Sequence, residues 1–194
     1  TPGAPNARII NHGTLTAGQA GLVGLIAPHV ENHGIITAKL GKVQLASGDI
    51  HTVDMAGDGL IKLQISDAVL SQSVTNTGQI TADGGAVQLT VAQARQTVDA
   101  LLIQRGSIRA NSVGSQRGTV TLDAGKGALT VAGNVQAKGT HSGTKGGQID
   151  LFGDTITLTN QATGLTRTVT VGSDGQYRLA QLPVGEYRLV VEHA

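Results

Sequence analysis

The chain has no cysteine and no tryptophan among its 194 residues, and only one phenylalanine, two tyrosines and one methionine. Without cysteine it can form no disulfide, thiolate metal site or cysteine nucleophile. That absence also suits a secreted protein that avoids stray oxidation. So few aromatics leave no platform on which nucleobases could stack. Neither sign of charge dominates, since Lys+Arg is 14 and Asp+Glu is 13, a net charge of +1. A phosphate-binding groove is therefore unexpected, and no nucleic-acid partner is expected. No apolar run approaches the roughly 18 residues that a membrane-spanning helix needs, so no membrane-spanning segment is expected. The opening residues, Thr1-Pro2-Gly3-Ala4-Pro5, lack a methionine, a basic n-region and an apolar h-region. They do not read as a signal peptide, and the chain reads as an internal fragment or mature piece of something longer.

What the chain does have is glycine, 28 residues, and a large share of Leu, Ile and Val. With net charge near zero, that apolar content argues for a packed core rather than a disordered tail. The glycines fall in a repeat. Asn11-His12-Gly13-Thr14-Leu15-Thr16-Ala17, Asn32-His33-Gly34-Ile35-Ile36-Thr37-Ala38 and Asn76-Thr77-Gly78-Gln79-Ile80-Thr81-Ala82 share the pattern Asn-x-Gly-x-(Leu/Ile)-Thr-Ala. Weaker copies stand at Gln104 to Ala110 and at Gly133 to Ala137. After each copy comes a second alternating run: Gly21 to Ala27, Gly41 to Ala46, Gly85 to Thr90, Gly118 to Ala124 and Gly147 to Phe152. A period in the twenties made of short strands and turns marks a solenoid.

In Lys42 to Ala46, Ala86 to Thr90 and Thr119 to Asp123 an aliphatic side chain falls at every second residue, the spacing of a strand with one buried face. The reading is a right-handed parallel β-helix over residues 1–154, with three short strands per turn. About six coils are expected between Ile9 and Asp154. One of them is His51 to Ile65, halfway along the widest gap between repeats. Ile36, Val43, Leu45, Ile80, Val87, Leu89, Ile108, Val120 and Leu122 should lie inside, in ladders of like residues. Gly13, Gly34 and Gly78 are expected at turns with positive φ, where a Cβ is costly. The preceding asparagines are expected to bond local backbone. Ser66 to Ser73 and Val91 to Ala100 lack clear alternation and read as loops, with a short helix at 92–99 as an even alternative.

The composition shifts near residue 151. Phe152, Tyr177 and Tyr187 are all late in the chain. Thr155 to Asn160, Thr166 to Val171, Gln176 to Ala180 and Tyr187 to Val191 alternate with Gly- and Pro-bearing turns, as antiparallel hairpins do. A small antiparallel β module is expected over 155–194. Forty or so residues without disulfides bury little surface, so this piece is expected to dock on the last coil near Ile149 and Leu151 and cap it.

Candidate chemical sites are sparse. His12 and His33 occupy one repeat position, and in adjacent coils they would stack at near metal-bridging distance. Exposed polar turn residues are the preferred reading. His29, His51, His141 and His193 show no ligand spacing. Asp58 and Asp83, in Asp-Gly turns, faintly resemble calcium-binding nonapeptide repeats but lack tandem copies of the motif. Asp54, Asp58 and Asp67 could share a face, as the acids of polysaccharide lyases and hydrolases do, yet no sugar-stacking aromatic precedes Phe152. No Gly-x-Ser-x-Gly elbow or triad can be argued. Arg105, Arg109, Arg117 and Lys126 form a modest basic stretch, read as a solvated face with a glycosaminoglycan or lipopolysaccharide contact as the sharper option. No catalytic residue, cofactor or metal site is assigned, and no enzyme activity is expected.

Two resemblances rest on these residues. The run Asn32 to Asp49, reinforced by Thr52 to Leu60, resembles the shaft of filamentous haemagglutinin-type adhesins, the exoproteins of bacterial two-partner secretion. That resemblance covers residues 9–154. It implies a right-handed parallel β-helix, export through an outer-membrane transporter, and adhesion at the cell surface to a receptor or glycan on a host or neighbouring cell. The family's N-terminal secretion domain is not visible in these residues. Residues 155–194 resemble the carboxypeptidase regulatory-like module, a transthyretin-like β-sandwich. The match lies in Thr157 to Asn160, Thr163-Gly164, Asp174 to Arg178 and Leu182 to Tyr187. The module's usual opening strand is missing, so about half of it is expected. The reading is thus a non-enzymatic extracellular segment of a longer exoprotein. The rival readings are a carbohydrate-active β-helix enzyme or carbohydrate-binding scaffold, and an engineered or hybrid solenoid.

Overall fold

A computed structural model describes residues 4–48, 50–53, 61–64, 71–92, 99–139, 145–152, 155–160, 166–170 and 187–191. Side chains are described in 4–48, 71–92, 100–139 and 145–152. Among the described residues there is no helix. The first coil is β1 (Arg8–Asn11), β2 (Thr14–Thr16) and β3 (Leu22–Ala27), and the second is β4 (His29–Asn32), β5 (Ile35–Thr37) and β6 (Lys42–Ser47). A hairpin, β7 (Ile50–Val53) and β8 (Ile61–Gln64), follows. The third coil is β9 (Ser71–Asn76), β10 (Gln79–Thr81) and β11 (Ala86–Val91), and the fourth is β12 (Asp99–Gln104), β13 (Ser107–Arg109) and β14 (Thr119–Asp123). The fifth is β15 (Ala128–Val131), β16 (Asn134–Gln136) and β17 (Gln148–Phe152). Beyond it lie β18 (Thr155–Asn160), β19 (Thr166–Thr170) and β20 (Tyr187–Val191).

Corresponding strands of successive coils pair in parallel and in register, giving three sheets ordered β1-β4-β9-β12-β15, β2-β5-β10-β13-β16 and β3-β6-β11-β14-β17. This is a parallel β-helix, as the alternation implies. Register places like above like. Leu15, Ile36, Ile80, Ile108 and Val135 form one column. Val43, Val87 and Val120, then Leu45, Leu89 and Leu122, form two more. All nine residues expected inside are buried, none more than 1% exposed. Each aliphatic taken fully from water contributes about 1.5–3 kcal/mol, so these columns are the main cohesive element.

Among the described residues the stack holds five coils rather than six. β4 pairs directly with β9, β5 with β10 and β6 with β11, across the whole interval that His51 to Ile65 was expected to fill. Ile50–Val53 and Ile61–Gln64 pair with each other, antiparallel. The segment is therefore an excursion from the solenoid, and β8 lies close to β6. Its alternation is real, but β7 and β8 find their ladder partners in each other rather than in neighbouring coils.

The expected loops are shorter than their lack of alternation implies. Ser71 opens β9, and Asp99 and Ala100 open β12. Residues 93–98, where a short helix was the alternative, lie outside the described residues.

The repeated glycines have a cause other than the one expected. Among the described residues, positive φ is confined to Gly84, Gly114 and Gly125 among glycines, with Ala20 and Leu40 the other residues in that region. At Gly34, Gly78, Gly106 and Gly133 a Cβ would collide with the carbonyl oxygen of the equivalent glycine one coil earlier. The backbones approach so closely there that no side chain fits.

At the far end β20 pairs antiparallel with β15, matching Leu129 with Val191 and Val131 with Leu189, and β18 joins β20 to β19. The C-terminal strands thus meet the last coil at Leu129–Val131 of the first sheet. The docking place expected near Ile149 and Leu151, on β17, is not where the ladder continues.

Candidate functional site

Polar side chains concentrate at the corner between the first and second sheets, where each strand of the first sheet runs into a glycine turn, Asn-x-Gly in the first three coils. Two columns run along this corner, one inside and one outside. Alternation decides which is which: in β4, Val30 and Asn32 point inward while Glu31 points outward, and one further residue carries His33 onto the turn.

The inner column is Asn11, Asn32, Asn76 and Gln104, with Val131 at the fifth place. Asn32, Asn76 and Gln104 are fully buried. Each amide donates to the next. Asn11 Nδ2 to Asn32 Oδ1 is 2.8 Å, Asn32 Nδ2 to Asn76 Oδ1 is 2.7 Å, and Asn76 Nδ2 to Gln104 Oε1 is 2.7 Å. Gln104 Nε2 ends the chain on the Gly106 carbonyl oxygen at 3.0 Å. A primary amide has a donor and an acceptor end, so identical amides one coil apart satisfy each other, and their burial carries no unpaired group. These asparagines were expected to bond local backbone; instead they bond mainly across coils. Val131 has no amide to offer, and the ladder stops one coil before it. A second buried polar contact stitches the coil ends: Ser47 Oγ donates to Gln72 Oε1 at 2.7 Å, and Gln72 Nε2 donates to the Ala92 carbonyl oxygen at 2.6 Å.

The outer column starts with His12 and His33. Their rings stack with centroids 5.0 Å apart and planes 14° from parallel, as the shared repeat position implies. His33 Nε2 lies 3.0 Å from Glu31 Oε2 and Nδ1 lies 2.7 Å from Thr77 Oγ1. Arg8 approaches the other oxygen of Glu31 at 3.5 Å. Both ring nitrogens of His33 are thus engaged by protein groups, and a metal would have to displace one of them. Among the described residues no group of three or more His, Asp or Glu side chains could hold a metal ion.

Glu31, His33 and Thr77 line up as carboxylate, imidazole and hydroxyl, a set that no sequence pattern flagged because Thr77 comes from the next coil, 44 residues on from His33. Acyl transfer also needs amide N–H groups aimed beside the hydroxyl. Here the N–H groups of Thr77 and Gly78 both donate to the Asn32 carbonyl oxygen, at 2.9 and 3.1 Å, and that of Gln79 donates to the Gly34 carbonyl oxygen at 2.9 Å. The inter-coil ladder consumes the donors that an oxyanion hole would need. The set acts as a stitch from the second coil to the third.

The remaining sequence candidates are dispersed. Asp83 accepts from the Asn111 N–H at 3.0 Å and pairs with Arg109 at 3.1 Å, so its carboxylate is committed to the neighbouring coil. His29 Nδ1 meets Ser73 Oγ at 3.0 Å. Asp54, Asp58, Asp67, His141 and His193 lie outside the described residues, as does the side chain of His51. Arg105 sits on the turn after β12, Arg109 ends β13, Arg117 precedes β14 and Lys126 follows it, so these cations are spread around the coil. The carboxyl of Asp123 is perturbed. Burial pushes its pKa up, against a smaller opposing pull from the Gly125 N–H that it accepts at 2.8 Å.

No curated protein and no solved structure matches the chain. The family model of the carboxypeptidase regulatory-like domain matches residues 151–194, the segment that begins at the end of β17 and contains the three antiparallel strands beyond the last coil.

Proposed function

We propose that the chain is a non-enzymatic structural segment of a secreted or cell-surface bacterial exoprotein of the filamentous haemagglutinin type. The observation that carries this reading is the in-register stacking of all five coils on three sheets. Stiffness along the axis follows from it, because every coil is tied to the next by backbone ladders and aliphatic columns, and the first four also by the amide column. Such a segment holds binding surfaces away from a membrane. Its partners would be the rest of a longer exoprotein, the outer-membrane transporter that exports it, and a receptor or glycan on a host or neighbouring cell.

Two measurements test this. Substituted for native coils in a two-partner-secretion exoprotein, the chain should reach the cell surface and be shaved by external protease. The purified chain, incubated with a panel of polysaccharides, should release no reducing ends. Retention in the periplasm would overturn the export reading, and release of reducing ends would favour a carbohydrate-active enzyme.

A further inference from the structure

The first coil is built for a neighbour that would lie ahead of it. Its inward residues Ile9, Leu15, Val23 and Leu25 are only half-buried, whereas Val30, Ile36, Val43 and Leu45, their equivalents in the second coil, are at most 1% exposed. An incomplete end explains that much by itself. Gly13 is the sharper observation. Every later glycine of its column is required because a Cβ would strike the carbonyl oxygen of the coil before. A Cβ on Gly13 would meet only Asn11 Oδ1, at 3.9 Å, and its φ is not positive. Nothing among the described residues requires glycine there. A carbonyl oxygen from a further coil would.

The hydrogen bonds make the same point. In coils two to five the N–H of the column glycine donates to the carbonyl oxygen of the amide residue one coil earlier, as Gly34 does to Asn11 at 3.0 Å and Gly78 to Asn32 at 3.1 Å. Gly13 has no such coil and donates instead to Asn11 Oδ1 at 3.1 Å. That oxygen is the acceptor end of the amide column, which in Asn32 and Asn76 receives the amide of the coil before. Gly13 therefore occupies a place that the repeat reserves for an incoming side chain. Likewise the Thr14 N–H is the equivalent of those of Ile35 and Gln79, which donate to the preceding glycine carbonyl at 2.9 Å.

We propose that the open face of β1, β2 and β3 receives one further parallel β-coil of the same repeat. That coil places a side-chain amide over Asn11, a backbone carbonyl over Gly13, and aliphatic side chains over Ile9, Leu15, Val23 and Leu25. The interface is continuous with the four already present in the stack. A second copy of this chain fits poorly. Head to tail, its β15 edge is taken by β20; head to head, strands would run antiparallel and leave Gly13 unexplained. The inference is independent of whether the shaft serves adhesion.

The test uses the chain as it stands and an extended form with a tandem copy of Arg8 to Pro28 joined ahead of Arg8, matching the 21-residue step between the first two coils. The extended form should melt at higher temperature, and the Gly13 and Thr14 amides, fast to exchange in the original chain, should become protected. Gly13→Ala should be nearly silent in the original chain and should lower the melting temperature of the extended form as much as Gly78→Ala does. Equal effects of Gly13→Ala in both forms would overturn the proposal, as would an added coil that leaves Thr14 unprotected. Concentration-dependent association of the original chain that protects Gly13 would overturn it in favour of a second copy.

Discussion

The buried amide column makes a prediction in which one chemical change has two different costs. Replacing Asn32 with Val keeps the volume nearly constant, so cavity formation contributes little. It leaves Asn76 Oδ1, fully buried, without its donor, and Asn11 Nδ2, at the less buried end, without its acceptor. A buried polar group left unpaired costs about 1–3 kcal/mol. Counting Asn76 in full and Asn11 in part, and allowing for the added aliphatic surface, Asn32→Val should destabilise by about 2–4 kcal/mol. The same substitution at Gln104 falls at the end of the column. Asn76 Nδ2 then loses its acceptor, but the carbonyl of its own Gly78 stands where Gly106 stands for Gln104. Val131 shows that an aliphatic residue is accommodated at this position one coil later, 5% exposed. Gln104→Val should therefore cost about 1 kcal/mol or less. Urea unfolding followed by far-ultraviolet circular dichroism measures both, with the slope compared between variants to establish that the unfolding unit is the same. Equal costs, or a larger cost at Gln104, would refute the idea that the column is a directed chain whose middle matters more than its end.

Ile80→Asp should destabilise by at least about 4 kcal/mol, because it puts an unpaired charge into a column only 1% exposed; near-unchanged melting would place Ile80 outside the core. Asp123 has its folded-state pKa raised by burial, so its charge weakens the fold above that pKa, and stability is regained as pH falls through it towards the unfolded value of about 4. Asp123→Asn keeps the acceptor for the Gly125 N–H and should raise the urea midpoint at neutral pH, with the advantage vanishing below about pH 4; an advantage independent of pH would rule out the charge as its cause. EDTA should leave the melting temperature unmoved, and a drop restored by calcium or zinc would identify Asp58, Asp83 or the His12–His33 pair as ligands. Deleting residues 155–194 bares the β15 edge and should make residues 1–154 self-associate on a sizing column; a monomeric product would show that β20 does not protect that edge.

The second and third sheets were legible in the sequence because their inward positions are nearly all aliphatic. The first sheet was not, and its chemistry is the reason. In β9 the inward positions are Gln72, Val74 and Asn76, so hydrophobic alternation vanishes in a strand whose inner face is wholly buried. Amides whose partners lie one coil away look like loop residues until the coils are stacked. The hairpin of β7 and β8 was misread for the converse reason: its alternation imitates a coil strand, and only pairing reveals that β4 goes to β9 across it. The glycine column was recognised as a repeat but assigned the wrong cause, since positive φ is a local property and collision with a neighbouring coil is not. The Glu31–His33–Thr77 set joins residues whose proximity depends on a 44-residue step, which no local pattern displays.

That step is one of several. Equivalent residues are 21, 44, 28 and 27 apart in successive coils. Each step nonetheless advances the structure by a single inter-strand spacing of about 4.8 Å. Axial length is thus counted in turns, not in residues. An insertion between β6 and β9 widens the girth at one level and leaves the height of everything beyond it untouched. Segments can be gained or lost at the corners over evolutionary time without altering how far the far end stands from the near one.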